Sequence, residues 1–296
     1  MQKIHKPNIP DFIVCGAPRA GTTSLWAALS THPDICLASN KEPHFFSNDT
    51  KFKEHEDWYL NLFKNCNPGQ LKGEFSTGYS IFPKSFSRIY EYNPDCKLIF
   101  LLRNPIDRML SHYNYCKFHG RESLSFLDAV SEDRYSSPQD FDTVYKFYKH
   151  SSLYYNNISK ALSIFSRDNI LVLIFERLVK DNKSELKKMF DFLNVSELDI
   201  ELSSKNISKK ARFQFIQKLL YQDSKIKQVI KFCLADKFKG HIKDKVCRIN
   251  SVRQKTANLT SYERKCIKDE LIPDVKNLKL FLNDRILEWS DFVDEV

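Results

Sequence analysis

No apolar run in this 296-residue chain approaches the roughly eighteen residues that a membrane-crossing helix needs, and nothing at its start reads as a secretory signal. A soluble, cytoplasmic protein without a membrane span is the expectation. No Pro/Gly/Ser-rich linker interrupts the chain and no internal repeat is visible, so one domain over 1–296 is the simplest partition. The eight cysteines include no CxxC pair, which removes a zinc ribbon or a thioredoxin-like motif. Most of them, Cys15 and Cys96 among them, read as core thiols of a reducing compartment. Sequons such as those at Asn157 and Asn206 read as chance in so Asn- and Ser-rich a chain. The net charge is +9, enough to attract an anionic ligand. No stripe of alternating basic and aromatic residues accompanies it, so a nucleic-acid partner is not expected.

What is there begins at 11–25, DFIVCGAPRAGTTSL. Phe12, Ile13 and Val14 form a short buried strand, and Gly16 and Gly21 bracket a turn. Thr22, Thr23 and Ser24 then open a helix with Leu25, Trp26 and Leu29 at helical spacing. A loop that enters a helix N-terminus presents unpaired N–H groups and the positive end of the helix dipole, an arrangement suited to phosphate. The glycine spacing is that of a Walker A loop, but Thr22 stands where its lysine belongs. Arg19 is the loop's only cation. Loss of the lysine that reaches β/γ-phosphates argues against a nucleoside triphosphate and for a phosphate carrying another group.

A second signature is KLIFLLR at 97–103, an apolar run ending in a cation, as in a buried parallel strand. Asn104 and Pro105 fit the cap and first position of a following helix. Arg103 therefore falls at a strand's carboxyl end, where open α/β sheets bind ligands, and Ser111 lies on the helix beyond it. A guanidinium and a hydroxyl from one strand–helix unit can share a phosphate.

These two segments, GAPRAGTTSL and LLRNPIDRMLSHY, resemble the nucleotide-binding signatures of the sulfotransferases that use 3′-phosphoadenosine 5′-phosphosulfate (PAPS). The resemblance implies that Arg19, Ala20, Gly21, Thr22, Thr23 and Ser24 hold the 5′-phosphosulfate and that Arg103 and Ser111 hold the 3′-phosphate. KEPHFF at 41–46 is similar to a segment of the carbohydrate and heparan-sulfate enzymes, which implies Glu42 as the base that deprotonates the acceptor. GEFSTGY at 73–79 resembles the next strand end, with Phe75 where many relatives carry lysine; that difference implies an acceptor less like heparan. Near the C-terminus, 249–267 resembles the family's basic closing loop, carrying Arg253 and Lys255 toward the nucleotide.

From the residues themselves, Pro43, Phe45 and Phe46 are placed to desolvate Glu42. Strand-like alternation puts His44 on the same side as Glu42, which makes it the rival base. Phe45, Phe46, Trp58 and Tyr59 are pocket walls or, by default, core. Strands are expected at 11–16, 34–38, 70–74, 97–102 and 169–175. Helices are expected at 22–31, 54–65, 84–92, 105–118, 152–166, 184–193, 211–233, 260–271 and 274–283. The fold class is α/β, a P-loop-like doubly wound and mainly parallel sheet of about five strands. Segments 120–150 and 196–255 supply acceptor-side and nucleotide-closing elements, with Lys205, Lys209 and Lys210 bordering the nucleotide. The expected activity is sulfuryl transfer to a hydroxyl or amine of a glycan or small-molecule acceptor, with no metal. A P-loop kinase of small metabolites and a non-catalytic nucleotide-binding protein remain as alternatives.

Overall fold

The computed structural model describes residues 8–82, 84–133, 147–200, 209–211, 251–253 and 259–295. Five strands form one sheet: β1 (Phe12–Gly16), β2 (Ile35–Leu37), β3 (Leu71–Phe75), β4 (Lys97–Leu102) and β5 (Ile170–Ile174). Their order is β2-β3-β1-β4-β5 and every pairing is parallel. The central strands are buried along their length: every residue of β1, and Leu98 to Leu102 of β4, is nearly or wholly inaccessible. Burial of both strand faces requires covering layers on each side, which is why these segments read as continuous apolar runs. Each such Leu or Ile contributes roughly 1.5–3 kcal/mol by leaving water.

The helices are α1 (Thr22–Leu29), α2 (Asp49–Glu54), α3 (Glu56–Asn61), α4 (Lys84–Tyr92), α5 (Pro105–Phe118), α6 (Phe126–Ser131), α7 (Tyr154–Leu162), α8 (Phe175–Lys180), α9 (Asn182–Leu193) and α10 (Ser261–Leu282). α5 starts as its sequence dictates. The Asn104 side chain accepts from the N–H groups of Ile106 and Asp107 at 3.1 and 3.3 Å, with Pro105 at the first position. Glu176 and Asp291 lock that corner: Glu176 accepts the Asn104 N–H at 2.8 Å and Asp291 accepts its side-chain amide at 2.9 Å.

Several expectations need correction. The helix expected over 54–65 is shorter, α3 over Glu56–Asn61, and a separate short helix, α2, precedes it across a break at His55. The stop expected at Pro273 is absent, and α10 runs straight through it. Leu271, Val275 and Leu278 are buried, and Asp274 accepts the N–H groups of Tyr155 and Asn156 at the start of α7, so packing outweighs the missing proline donor. Ala211, expected to open a helix, lies instead in β6 (Lys209–Ala211), which pairs antiparallel with β7 (Ser251–Arg253); the rest of 212–233 lies outside the described residues. Cys36 and Cys66 are joined in a disulfide rather than standing as core thiols, whereas Cys15, Cys96 and Cys116 are buried and outside any disulfide. Among the described residues no helix is long and apolar enough to cross a membrane.

Candidate active site

Because all five strands are parallel, their carboxyl ends share one edge, and the Arg19 loop, Arg103 and Glu42 lie along it. The loop leaving β1 stays tied to the sheet through the Ala17 N–H, which donates to the Leu101 carbonyl at 2.8 Å. Two glycines are required there. A Cβ on Gly16 would stand 2.9 Å from the Ser80 hydroxyl, and one on Gly21 would stand 2.6 Å from the Phe175 ring. Gly21 also has φ +93°. It caps α1 without any side-chain hydrogen bond. Among the described residues no acceptor meets the N–H groups of Arg19, Gly21, Thr22 or Thr23. Open donors and the helix dipole thus converge on one loop.

Three guanidinium groups gather beside it. Arg19, at φ +70°, lies over the Tyr115 ring with its Cζ 4.7 Å from the centroid. Its pKa is lowered by desolvation and by the like charge of Arg103, with Tyr115 opposing. Arg103 leaves β4 with its Cζ 5.2 Å from the Phe175 ring centroid, so Phe175 fills the space between Gly21 and Arg103. Arg108, on α5, is wholly buried. Burial pushes its pKa down to about 10, Arg103 and Arg19 adding to the effect. Among the described residues none of the three forms an ion pair within 4.0 Å. Arg19 and Arg103, like charges without ion pairs beside an open N–H cradle, favour a polyanion.

Ser111 is half-buried on α5, one helical turn beyond Arg108. Arg253 is in β7, paired in register with Lys209 of β6, and β6 packs against α5. The backbone of the closing ribbon therefore reaches the helix that carries Ser111. Lys205 and Lys255 lie outside the described residues.

Glu42 sits on the same edge, beyond β3. Its backbone N–H donates to the Phe75 carbonyl at 2.8 Å. Thr77 holds its carboxylate twice, through the N–H at 2.8 Å and the hydroxyl at 3.0 and 3.2 Å. Lys41 Nζ lies 3.0 Å from one oxygen and His44 Nε2 3.3 Å from the other. The segment 76–80 is fastened to the end of β1: Ser76 N–H donates to the Val14 carbonyl and Ser80 N–H to the Cys15 carbonyl, both at 3.2 Å. Glu42 is thereby linked through Thr77 to the strand from which the anion loop springs.

Two reasons given for Glu42 and His44 do not hold. They do not alternate on a strand; both have left-handed backbone, at φ +58° and +53°, and meet across that turn. Nor do Phe45 and Phe46 desolvate the carboxylate. They point into an aromatic cluster in which Phe45 stacks on Tyr59 at 4.1 Å, and Glu42 keeps 27 % of its side-chain surface exposed. His44 is the desolvated group: burial lowers its pKa to about 4, against the pull of Glu42 and with Lys51 and Lys41 assisting. Trp58 is 39 % exposed, unlike its neighbour Tyr59, which is core.

Sequence reasoning passed over Ser76, Thr77, Arg108 and Phe175. Ser76 accepts the His44 N–H at 3.0 Å and Thr77 holds Glu42, so the hydroxyls of GEFSTGY were the available signal. For Arg108 the signal was a second arginine inside LLRNPIDRMLSHY.

Residues 9–260 match the family described as Sulfotransferase domain. The mouse heparan sulfate glucosamine 3-O-sulfotransferase 3B1 is 30 % identical over 190 residues, 64 % of this chain and 47 % of that protein. The human heparan sulfate glucosamine 3-O-sulfotransferase 5 is 29 % identical over 189 residues, 63 % of this chain and 54 % of that protein. The chain thus spans about half the length of these curated relatives. A sulfotransferase structure from Alicyclobacillus acidocaldarius superposes with a TM-score of 0.69 at 24 % identity, covering 95 % of this chain and 99 % of that one.

Proposed function

The chain belongs to the sulfotransferase domain family, and from that premise we propose that it moves a sulfuryl group from PAPS to a hydroxyl of a carbohydrate-type acceptor. The observation that carries this reading is the shared sheet edge. A carboxylate fixed by Thr77 stands beside a loop with four open N–H groups, and two arginines without ion pairs flank that loop among the described residues.

The residues fit the donor. A bisphosphorylated nucleotide has two anionic ends, and the site has two cationic regions. Arg19, Ala20, Gly21, Thr22, Thr23 and Ser24 hold the 5′ end. Arg103 and Ser111 hold the 3′-phosphate, and Arg253 and Lys255 close over the nucleotide. PAPS supplies the activated sulfuryl group. Glu42 accepts the proton of the attacking hydroxyl, for which general-base help is typically worth about 10²–10⁴ in rate. Arg19 and the loop N–H groups take up the charge that grows on the departing phosphate. His44, neutral near pH 7 because burial holds its pKa at about 4, donates to Glu42 and orients it rather than receiving the proton.

A carbohydrate acceptor is supported by the similarity to the 3-O-sulfotransferases. Calorimetry should show tight binding of 3′-phosphoadenosine 5′-phosphate and none of Mg-ATP; the reverse would establish a kinase. With labelled PAPS and a panel of glycans, Glu42→Gln should lose about 10²–10⁴ in turnover at unchanged nucleotide affinity, and His44→Ala less. Turnover retained in Glu42→Gln but lost in folded His44→Ala would make His44 the base.

A further inference from the structure

Arg108 is the least expected charge in the molecule. Its guanidinium is wholly buried and none of its hydrogen bonds goes to a carboxylate. A buried charge satisfied only by neutral acceptors is costly, and a side chain needed only to fill space would be apolar. Its donors go instead to several parts of the chain. One reaches the Pro18 carbonyl in the β1 loop at 3.3 Å. Others reach the Tyr148 carbonyl and the Ser152 hydroxyl, and Ser152 passes its own proton to the Pro105 carbonyl at the start of α5. The last lies 3.3 Å from His112 Nδ1, which must accept; burial and Arg108 together hold the pKa of His112 well below the ordinary histidine value, so the ring is neutral and able to.

The contact with Pro18 has a geometric consequence. Proline has no N–H, so its carbonyl is that residue's only hydrogen-bonding group. The peptide joining it to Arg19 is trans, and the C=O and N–H of a trans peptide point in opposite directions. Drawing the Pro18 carbonyl toward the core turns the Arg19 N–H outward. Among the described residues the donors of Gly21, Thr22 and Thr23, which follow in the same loop, are open as well. The same anchor holds Arg19 in its left-handed backbone at φ +70°. We infer that Arg108 is a positioning residue for sulfuryl transfer: through the Pro18 carbonyl it aims the Arg19 N–H, and thereby shapes the 5′-phosphate end of the site. This rests on the nucleotide reading above.

The test separates the two ends of the nucleotide. Calorimetry on the full chain would use 3′-phosphoadenosine 5′-phosphate, adenosine 5′-monophosphate and adenosine 3′-monophosphate. Arg108→Lys keeps the charge and the stem but cannot reproduce the fork. It should weaken both 5′-phosphorylated ligands by about 10- to 100-fold, as expected for a lost charge-assisted contact, and leave the 3′-monophosphate within about threefold. Ser152→Ala frees the guanidinium without opening a large cavity, and should give a smaller loss with the same 5′ selectivity. It decides the matter if Arg108→Lys does not fold. Equal losses at both ends, or full affinity in a folded variant, would overturn the inference. Failure of the wild-type chain to bind the bisphosphate would overturn the nucleotide reading with it.

Discussion

Thr77→Val is the most direct perturbation of the proposed base, because it leaves the carboxylate itself and the nucleotide loop unaltered. Thr77 is 7 % exposed and gives Glu42 two kinds of donor, a backbone N–H at 2.8 Å and a hydroxyl at 3.0 and 3.2 Å. Valine preserves the branch, the volume and the N–H, and removes only the hydroxyl. A hydrogen bond to a charged group is worth about 1.5–3 kcal/mol. Lys41 and His44 remain in place, so roughly 1–2 kcal/mol of orienting energy is lost, which corresponds to a fall in kcat of about 5- to 30-fold. Nucleotide affinity should stay within about twofold, because the 5′ loop makes its own contacts. Thr77→Ser, which restores the hydroxyl, should recover most of the rate. Initial rates of sulfuryl transfer, with calorimetry of 3′-phosphoadenosine 5′-phosphate on the same preparations, provide the readout. Wild-type kcat in folded Thr77→Val would refute the reasoning: the hydroxyl would then brace the 76–80 segment without orienting a base.

Arg103→Ala should weaken 3′-phosphoadenosine 5′-phosphate by roughly 2–4 kcal/mol and scarcely affect adenosine 5′-phosphosulfate, which lacks the 3′-phosphate; equal losses in calorimetry would remove Arg103 from that role. Glu74 is buried beneath Tyr59 and Tyr79, and burial raises its pKa to about 7, against the hydrogen bonds of Ser76, Tyr59 and Tyr79. The folded state thus holds a proton that the unfolded chain releases near pH 4.5, and roughly 3 kcal/mol of stability is lost as pH rises from 4.5 to about 7. Glu74→Gln should flatten that slope in thermal melts between pH 5 and 8, and an unchanged slope would exclude Glu74 as its source. Reducing the Cys36–Cys66 bond, or Cys36→Ser, opens a loop with sequence separation 30, worth about 3–4 kcal/mol in chain entropy. The melting temperature should fall by roughly 5–10 °C, and an unchanged melt with and without dithiothreitol would contradict the pairing.

What was legible in the sequence was what is local. Each of the five sheet strands falls within a residue of its expected bounds, because burial on both faces demands unbroken apolar runs such as KLIFLL. The anion loop was legible for the same reason, since two glycines and an arginine lie within six residues. α8 was hidden because it begins at Phe175, directly after Ile174, inside a run that reads as one strand. The three-residue ribbon of β6 and β7 joins segments far apart in the chain and carries no periodicity long enough to detect. The disulfide and the Thr77–Glu42 contact are likewise products of tertiary approach, the latter spanning 35 residues. The meeting of Glu42 and His44 across a turn was not legible either, because strand-like alternation was read where both residues have left-handed backbone.

The strand order explains why a carboxylate and a cationic cradle can share one edge without neutralising each other. Glu42 follows β2 and Arg103 follows β4, and β3 and β1 lie between those strands. With strands about 4.8 Å apart, three spacings separate the two ends by roughly 14 Å. Among the described residues no ion pair within 4.0 Å joins Glu42 to Arg19 or Arg103, so both charges remain available to a ligand. Thr77, at the end of β3, then draws the Glu42 side chain back toward β1 without bringing it into ion-pair contact with Arg19. A base placed on the β1 loop itself would sit beside Arg19 and pair with it, consuming both the proton acceptor and the anion site. One intervening strand, β3, keeps the proposed base apart from the anion loop, and the Thr77 hydroxyl beyond its end holds the carboxylate in place.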